Sequence, residues 1–500
     1  MRIKRGGETP NTKKRKMTTT LYPIIMIPII GIVALLITGK KEKEIGLVTS
    51  IITLMEAIRL WVSMEEGTSE FQYITKINLI EGIGLNPVLG IDGISILYIV
   101  LTAFLIPICI LVSWDTIKIF KKEYIISLIS IELLLIGVFS VLDILGFYIC
   151  FEGVLIPMFL IIGIWGARKE KVTASYYFFF YTLIGSVLML LSIFYIYSIT
   201  GTTDYITLLG QEIDPEIQNV LFLGFFASLA VKIPKFPFHI WLPQAHVEAP
   251  VAGSVLLAGI LIKLGSYGFI RFTLPLFPSA CVYFAPLVFT LGTLAILYAS
   301  LTTLRQIDLK RIIAYSSVSH MGVVMLAIFS LSVVGIEGSI FLQIAHGVVS
   351  SALFIIVTAL YDRHHTRIIK YYRGMAVTMP VFAILFLIFT LANIAVPLSC
   401  NFIGEFMSLL AAFESSPFIG IMASLGMVLS ACYGLFLYNR VCFGTMSNYL
   451  LNSNENKDLN KREFWVLWPL AFFTIYLGVY PNILLDSMHP CVHFICTYLP

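Results

Sequence analysis

Seven charged side chains and two histidines stand inside apolar stretches of the sequence: Glu56, Arg59, Glu132, Glu152, Lys232, Lys263, Glu405, His320 and His346. A charge at the centre of a membrane helix costs roughly 2.5 to 3.5 kcal/mol on insertion scales, so such a group faces a bundle interior or a water-filled passage and marks a route for protons or small cations. Lys263 carries the strongest signal. It lies about twelve residues into its apolar run, with no acidic residue within two helical turns. A buried lysine without a carboxylate beside it can load and release a proton near neutral pH.

The other groups fit around it. Glu152 is flanked by apolar residues in Tyr148-Ile-Cys-Phe-Glu-Gly-Val-Leu-Ile-Pro157 and needs a cation. Lys232 precedes Pro234 and Pro237, which remove backbone donors and should break its helix within a turn. Broken helices are tolerated at membrane depth where they line a cavity, so we expect a Glu152–Lys232 contact beside one. Lys235 and His239, at that break, are secondary candidates, as is Glu132, which suits an entrance or a subunit contact. His320 follows Ala314-Tyr-Ser-Ser-Val-Ser319, and His346 precedes Gly-Val-Val-Ser-Ser351, so both imidazoles have hydroxyls near them, as a proton wire requires. Glu405 follows a second break at Pro397 and reads as the exit-side carboxylate; Glu56 and Arg59, spaced i, i+3, can satisfy each other. The expected order is Glu152, Lys232, Lys263, His320, His346, Glu405.

The elements that must hold these groups are membrane helices. Apolar residues make up 58% of the 500 positions and charged ones 12%, which excludes an ordinary soluble domain. The net charge of +4 is scattered among loops, which excludes a nucleic-acid surface. The eight dispersed cysteines form no CxxC pair, so neither a metal nor an iron–sulfur site is indicated. About fourteen runs can each cross a hydrocarbon core. Loops after odd runs hold Lys40, Lys41 and Lys43, then Lys118, Lys121 and Lys122, and so on to Lys457, Lys461 and Arg462. Even loops hold Glu65, Glu66, Glu70 and Glu81, or Asp204, Glu212, Asp214 and Glu216. This alternation puts the odd loops on the matrix or cytoplasmic side and both termini opposite. The basic tail at 1–20 disagrees with that topology; it is either solvated, pinned by a partner, or upstream of a functional start at Met17. A span with an acidic residue, a proline-broken span and a charged or histidine-bearing span occur once around Glu152–Lys263 and again around His320–Glu405, the pattern of a transporter built from structural repeats.

At Phe151-Glu-Gly-Val-Leu-Ile-Pro-Met-Phe159, Phe238-His-Ile-Trp-Leu-Pro-Gln-Ala-His-Val-Glu-Ala-Pro250, Leu301-Thr-Thr-Leu-Arg-Gln-Ile-Asp-Leu-Lys-Arg-Ile-Ile-Ala-Tyr-Ser316 and Phe402-Ile-Gly-Glu-Phe406, the chain resembles the antiporter-like membrane subunits of mitochondrial NADH:ubiquinone oxidoreductase, respiratory complex I. The resemblance runs from about Gly90 to Asn439. It implies an all-α polytopic protein of about fourteen helices, with N-terminal helices at 21–115, two inverted five-helix repeats at 124–273 and 280–440, each with discontinuous helices, and a loop and last helix at 441–500. It further implies that Glu152 and Lys232 modulate, Lys263 carries the proton, His320 and His346 connect, and Glu405 ends the channel. NADH, FMN, iron–sulfur clusters and ubiquinone would then sit in partner subunits, and this chain would lie among other membrane-arm subunits and lipids of the mitochondrial inner membrane. Two other readings stay open: a subunit of a multi-subunit sodium/proton antiporter, and a membrane scaffold without transport. In one respect the sequence departs from the family: Val396-Pro-Leu-Ser-Cys-Asn401 lacks the glycine usual after that proline, so the second break is expected to be shaped differently.

Overall fold

The computed structural model describes residues 20–37, 39, 41–76, 88–447, 449 and 457–499. The basic run within 1–20, Lys40 and Glu81 lie outside the described residues. A two-stranded antiparallel sheet, β1 (Gln72–Lys76) with β2 (Val88–Ile91), accompanies a set of long helices. In chain order these begin with α1 (Tyr22–Ile37), α2 (Glu42–Ser63), α3 (Ser95–Val112), α4 (Lys121–Ser140), the contiguous α5 (Ile144–Gly153) and α6 (Leu155–Trp165), α7 (Lys171–Thr200), α8 (Pro215–Lys232) and α9 (Trp241–Glu248). They continue with α10 (Val251–Leu276), α11 (Pro278–Leu304), α12 (Leu309–Phe329), α13 (Val333–His364), α14 (Pro380–Asn393), α15 (Cys400–Ser415), α16 (Pro417–Cys442), α17 (Lys461–Val479) and α18 (Asn482–Cys496).

Ten of the described helices are long and apolar enough to cross a membrane, counting α5 and α6 as one, and α17 with α18 makes an eleventh bent by 66°. The shorter α1 and the interrupted pairs α8–α9 and α14–α15 complete the set of apolar segments read from the sequence. The last segment differs from expectation. It holds two helices: α17 ends at Val479, the chain turns at Pro481, and α18 packs across α13.

Burial sorts the helices into two layers. All of α10 and nearly all of α12 and α13 are buried, whereas α2, α7 and α16 are buried over about a third of their length and turn Ile, Leu and Phe side chains outward to lipid. Lipid gives no hydrophobic drive between helices, so close contact rests on small residues. At Gly404 of α15 a Cβ would lie 2.6 Å from Leu342 Cα of α13, so only glycine lets these two helices meet.

The loops sort by charge as expected. Arg363 donates to Glu463 at 2.6 Å, Arg462 pairs with Asp115 and Lys43 donates to the Trp114 carbonyl, which gathers four odd loops on one face. On the other face Phe71 meets the ring of Tyr205, and Asp143 bridges Asp204.

Both breaks fall where proline forbids a continuous helix. α8 ends at Lys232 and α9 resumes at Trp241, whose indole donates to the Val231 carbonyl at 3.0 Å and so occupies an acceptor that the break frees. At the second break Ala395 (φ 62°) and Leu398 (φ 74°) take the left-handed conformation. A leucine therefore adopts here the backbone state that suits a glycine, and its side chain points outward, 69% exposed, so the break forms without the glycine.

Candidate functional site

Lys263 sits in the middle of α10, fully buried, between two stretches of π-helix, Leu257–Leu261 and Phe269–Thr273. Such turns displace the usual i to i−4 bonding. The Lys263 ammonium uses the local carbonyl of Ala258 as an acceptor, and its second contact is the Nδ1 of His346 on α13, at 3.0 Å. Since an ammonium can only donate, His346 Nδ1 is the acceptor and its Nε2 carries the ring proton. Among the described residues no carboxylate lies within ion-pair distance of Lys263.

The row continues through packed imidazoles. The rings of His346 and His320, on α12, have centroids 5.4 Å apart, and their two Nε2 atoms have no hydrogen-bond partner among the described residues. His320 Nδ1 then lies 2.7 Å from Glu405 Oε1 on α15, and all four groups are at least 95% buried. Four residues from four different helices thus form one line, Lys263, His346, His320, Glu405. This reverses the two histidines relative to their expected order, because α13, not α12, lies against Lys263. Each imidazole can accept on one nitrogen and release from the other, so a proton can pass without leaving a charge behind. A polar branch runs beside the row: Gln343 Oε1 accepts from Tyr98 Oη at 2.8 Å and from the Ser266 hydroxyl.

Glu152 and Lys232 are close to one another but not paired. Glu152 is half-buried on α5 beside Ser186, and it feels the charge of Lys232 without an ion pair between them. The Lys232 ammonium rests instead on the face of Phe151, 4.3 Å from the ring centroid. The expected Glu152–Lys232 contact is therefore replaced by a cation–π contact with the residue next door. The helices that carry Lys232 and Lys263 pack closely: at Gly265 a Cβ would meet the Leu229 carbonyl at 2.7 Å, so α10 presses directly on the last turn of α8.

Among the secondary candidates, Lys235 is buried at the break with its ammonium 5.5 Å from the Phe226 ring and no hydrogen-bond partner among the described residues, and His239 stacks on Phe236. Glu132 accepts from Thr53 of α2, away from the row. Arg59 donates to Glu56 at 2.8 and 2.5 Å, so that pair satisfies itself.

Several charged groups escaped sequence reasoning. A cavity of about 730 Å³ opens on the basic face, with Lys118, Lys310, Asp362, Arg367 and Glu463 in its wall. Lys310 donates from its floor to the Ala249 carbonyl at 3.1 Å and to Ser254 Oγ at 3.4 Å, and Ser254 donates to the His246 carbonyl. The His246 ring is fully buried, stacked 4.6 Å from Phe354. At the other end of α10, Arg271 and Asp92 form a buried ion pair at 2.6 Å. Charge near a helix end reads as loop charge in sequence; only the fold shows these to be inside. Among the described residues no three His, Cys, Asp or Glu side chains are gathered as a metal site.

Residues 141–430 match the family described as NADH:quinone oxidoreductase/Mrp antiporter, TM. The chain is 56% identical over 460 residues to NADH-ubiquinone oxidoreductase chain 4 of Metridium senile, covering 91% of this chain and 93% of that one. It is 50% identical over 479 residues to the protein of that name in Marchantia polymorpha, covering 95% and 96%. Among solved structures it matches a chain of respiratory complex I from Thermus thermophilus with bound NADH, at a TM-score of 0.87 and 29% identity over 95% of this chain and 99% of that one. A chain of the Mrp complex from Dietzia sp. matches with a TM-score of 0.84 and 18% identity, over 95% and 99%, a likeness of fold alone.

Proposed function

Because the chain belongs to the NADH-ubiquinone oxidoreductase chain 4 family, we propose that its buried row moves protons across the mitochondrial inner membrane, driven by electron transfer from NADH to ubiquinone in partner subunits. The chain is then one membrane-arm subunit of that enzyme, beside other antiporter-like subunits. FMN and the iron–sulfur clusters belong to the partners. The observation that carries the reading is the line of four buried ionisable groups, Lys263, His346, His320, Glu405, each next to the one before it.

A proton enters from the cavity on the basic face past Lys310 and His246 and loads Lys263. A change in the spacing of Glu152 and Lys232, sent along the membrane arm, alters the field and the packing at Lys263. The ammonium gives its proton to His346 Nδ1, His346 releases its Nε2 proton to His320, and His320 passes one to Glu405. Moving one charge against 100 mV costs about 2.3 kcal/mol, equivalent to about a fifty-fold change in proton affinity, which a shift of one neighbouring buried charge can supply. The sodium/proton antiporter reading is weaker, since the chain 4 relatives match at far higher identity than the Mrp chain does.

Glu405→Gln tests the reading. Gln keeps the volume and can still accept from His320, but it cannot take up a proton. Assembled complex carrying Glu405→Gln should lose NADH-driven proton release on the order of 100-fold, measured with a pH indicator in sealed vesicles. Unchanged release would remove Glu405 from the path.

A further inference from the structure

Resting on the reading of this row as a proton relay, we propose that Glu337 and His489 form its outlet, carrying the proton from Glu405 to the face opposite the basic loops. Glu405 is 2% exposed and cannot release a proton to water itself. One turn further along α15, on the same helix face, Ser408 is fully buried, and among the described residues its hydroxyl has no hydrogen-bond partner. Directly against it lies Gly338 of α13, where a Cβ would stand 2.9 Å from the Ser408 nitrogen and 2.7 Å from Met407 Cβ. Glu337, the residue before Gly338, is thereby placed about one turn beyond Glu405 along this antiparallel helix pair, in which Leu342 faces Gly404 and Gly338 faces Ser408. Glu337 is itself buried, yet its Oε1 lies 2.6 Å from Nδ1 of His489, whose side chain is 60% exposed.

This arrangement is a step from interior to solvent. It exists because α18 bends back after α17 and packs Met488, Cys491 and Val492 inward, which fixes His489 over the start of α13. Packing there is tight: a Cβ at Gly93 would overlap the Ser487 carbonyl. Asp486, Cys491, His493 and Cys496 are the other titratable groups of α18, His493 with its ring 6.3 Å from that of His489.

The proton balance closes. At rest one proton is shared between Glu337 Oε1 and His489 Nδ1. Glu405 gives its proton to the Ser408 hydroxyl as that hydroxyl gives its own to the second oxygen of Glu337, which sends the shared proton onto His489 Nδ1. The imidazolium releases its Nε2 proton to water, and the exposed ring turns over so that its bare nitrogen again faces Glu337. One proton has moved and each group is back at its original charge.

The test uses assembled complex in sealed vesicles, with NADH-driven proton release as readout and Lys263→Ala as reference. Glu337→Gln and His489→Ala should each slow release on the order of 100-fold, whereas His493→Ala, one turn away on the same helix, should release protons at the parental rate. Added imidazole should restore release in His489→Ala and not in Glu337→Gln, and Glu337→Asp should retain part of it. A packing role for His489 would not give that recovery, so loss without rescue would overturn the proposal. So would parental release by both Glu337→Gln and His489→Ala in complex where Lys263→Ala releases none. Parental release by Lys263→Ala would instead overturn the relay, and the outlet with it.

Discussion

Replacing Lys263 with alanine should abolish NADH-driven proton pumping while the complex still assembles. The reason lies in what the side chain touches. Its ammonium hydrogen-bonds His346 from the middle of α10, between the two π-helical stretches, and among the described residues no carboxylate pairs with it. Removal leaves His346 Nδ1 without its donor, a loss of about 1–3 kcal/mol, which a large membrane assembly can absorb. The transfer step, by contrast, loses its proton carrier, and a positioned acid–base group contributes on the order of 10²–10⁴-fold. The check is paired: amount of assembled complex on a native gel, and proton release in vesicles from the same preparation. Full assembly with full pumping would remove Lys263 from the carrier role and favour a scaffold.

Arg271→Leu should do the opposite, and spoil assembly. Arg271 holds Asp92 at 2.6 Å, and the Asp92 carboxylate also accepts from the Ser95 nitrogen at 2.9 Å, so the pair ties the end of α10 to the start of α3. Both side chains are within a few per cent of complete burial. Taking away one partner leaves an uncompensated charge inside, at a cost of about 3–5 kcal/mol, whereas removing both charges together is often nearly neutral. Arg271→Leu alone should therefore lower the thermal transition of the complex and its yield, and Arg271→Leu with Asp92→Asn should recover most of both. Equal stability of the single variant and the parent would show that the pair does not hold the two helices.

How far the sequence reaches can be judged from these same residues. The apolar runs, the alternation of basic and acidic loops and the two proline breaks are local properties, and they reappear as helices, faces and interruptions at the expected places. The buried charges were legible for the same reason: Lys263 in mid-span has no innocuous explanation. What sequence does not contain is which helix leans on which. His320 precedes His346 in the chain, yet α13 lies closer to Lys263 than α12 does, so their order in space is reversed. Glu152 and Lys232 are a plausible pair on charge alone, but the ring of Phe151 takes the ammonium. Asp92, Arg271, Glu337 and His489 lie at helix ends or after the last span, where charge is ordinary, and only the bend before α18 reveals that Glu337 and His489 meet. Leu398 shows the converse: the missing glycine suggested a different break, and the backbone takes the glycine-like conformation regardless.

The central claim is that Lys263 works by giving up its proton, not by being a cation. Lys263→Arg separates the two, because a guanidinium keeps its charge and stays protonated at any working pH. Proton release per NADH oxidised, measured in sealed vesicles with assembled Lys263→Arg complex, is the most direct test. The expected result is assembly with pumping lost as in Lys263→Ala; pumping at the parental ratio would contradict the relay.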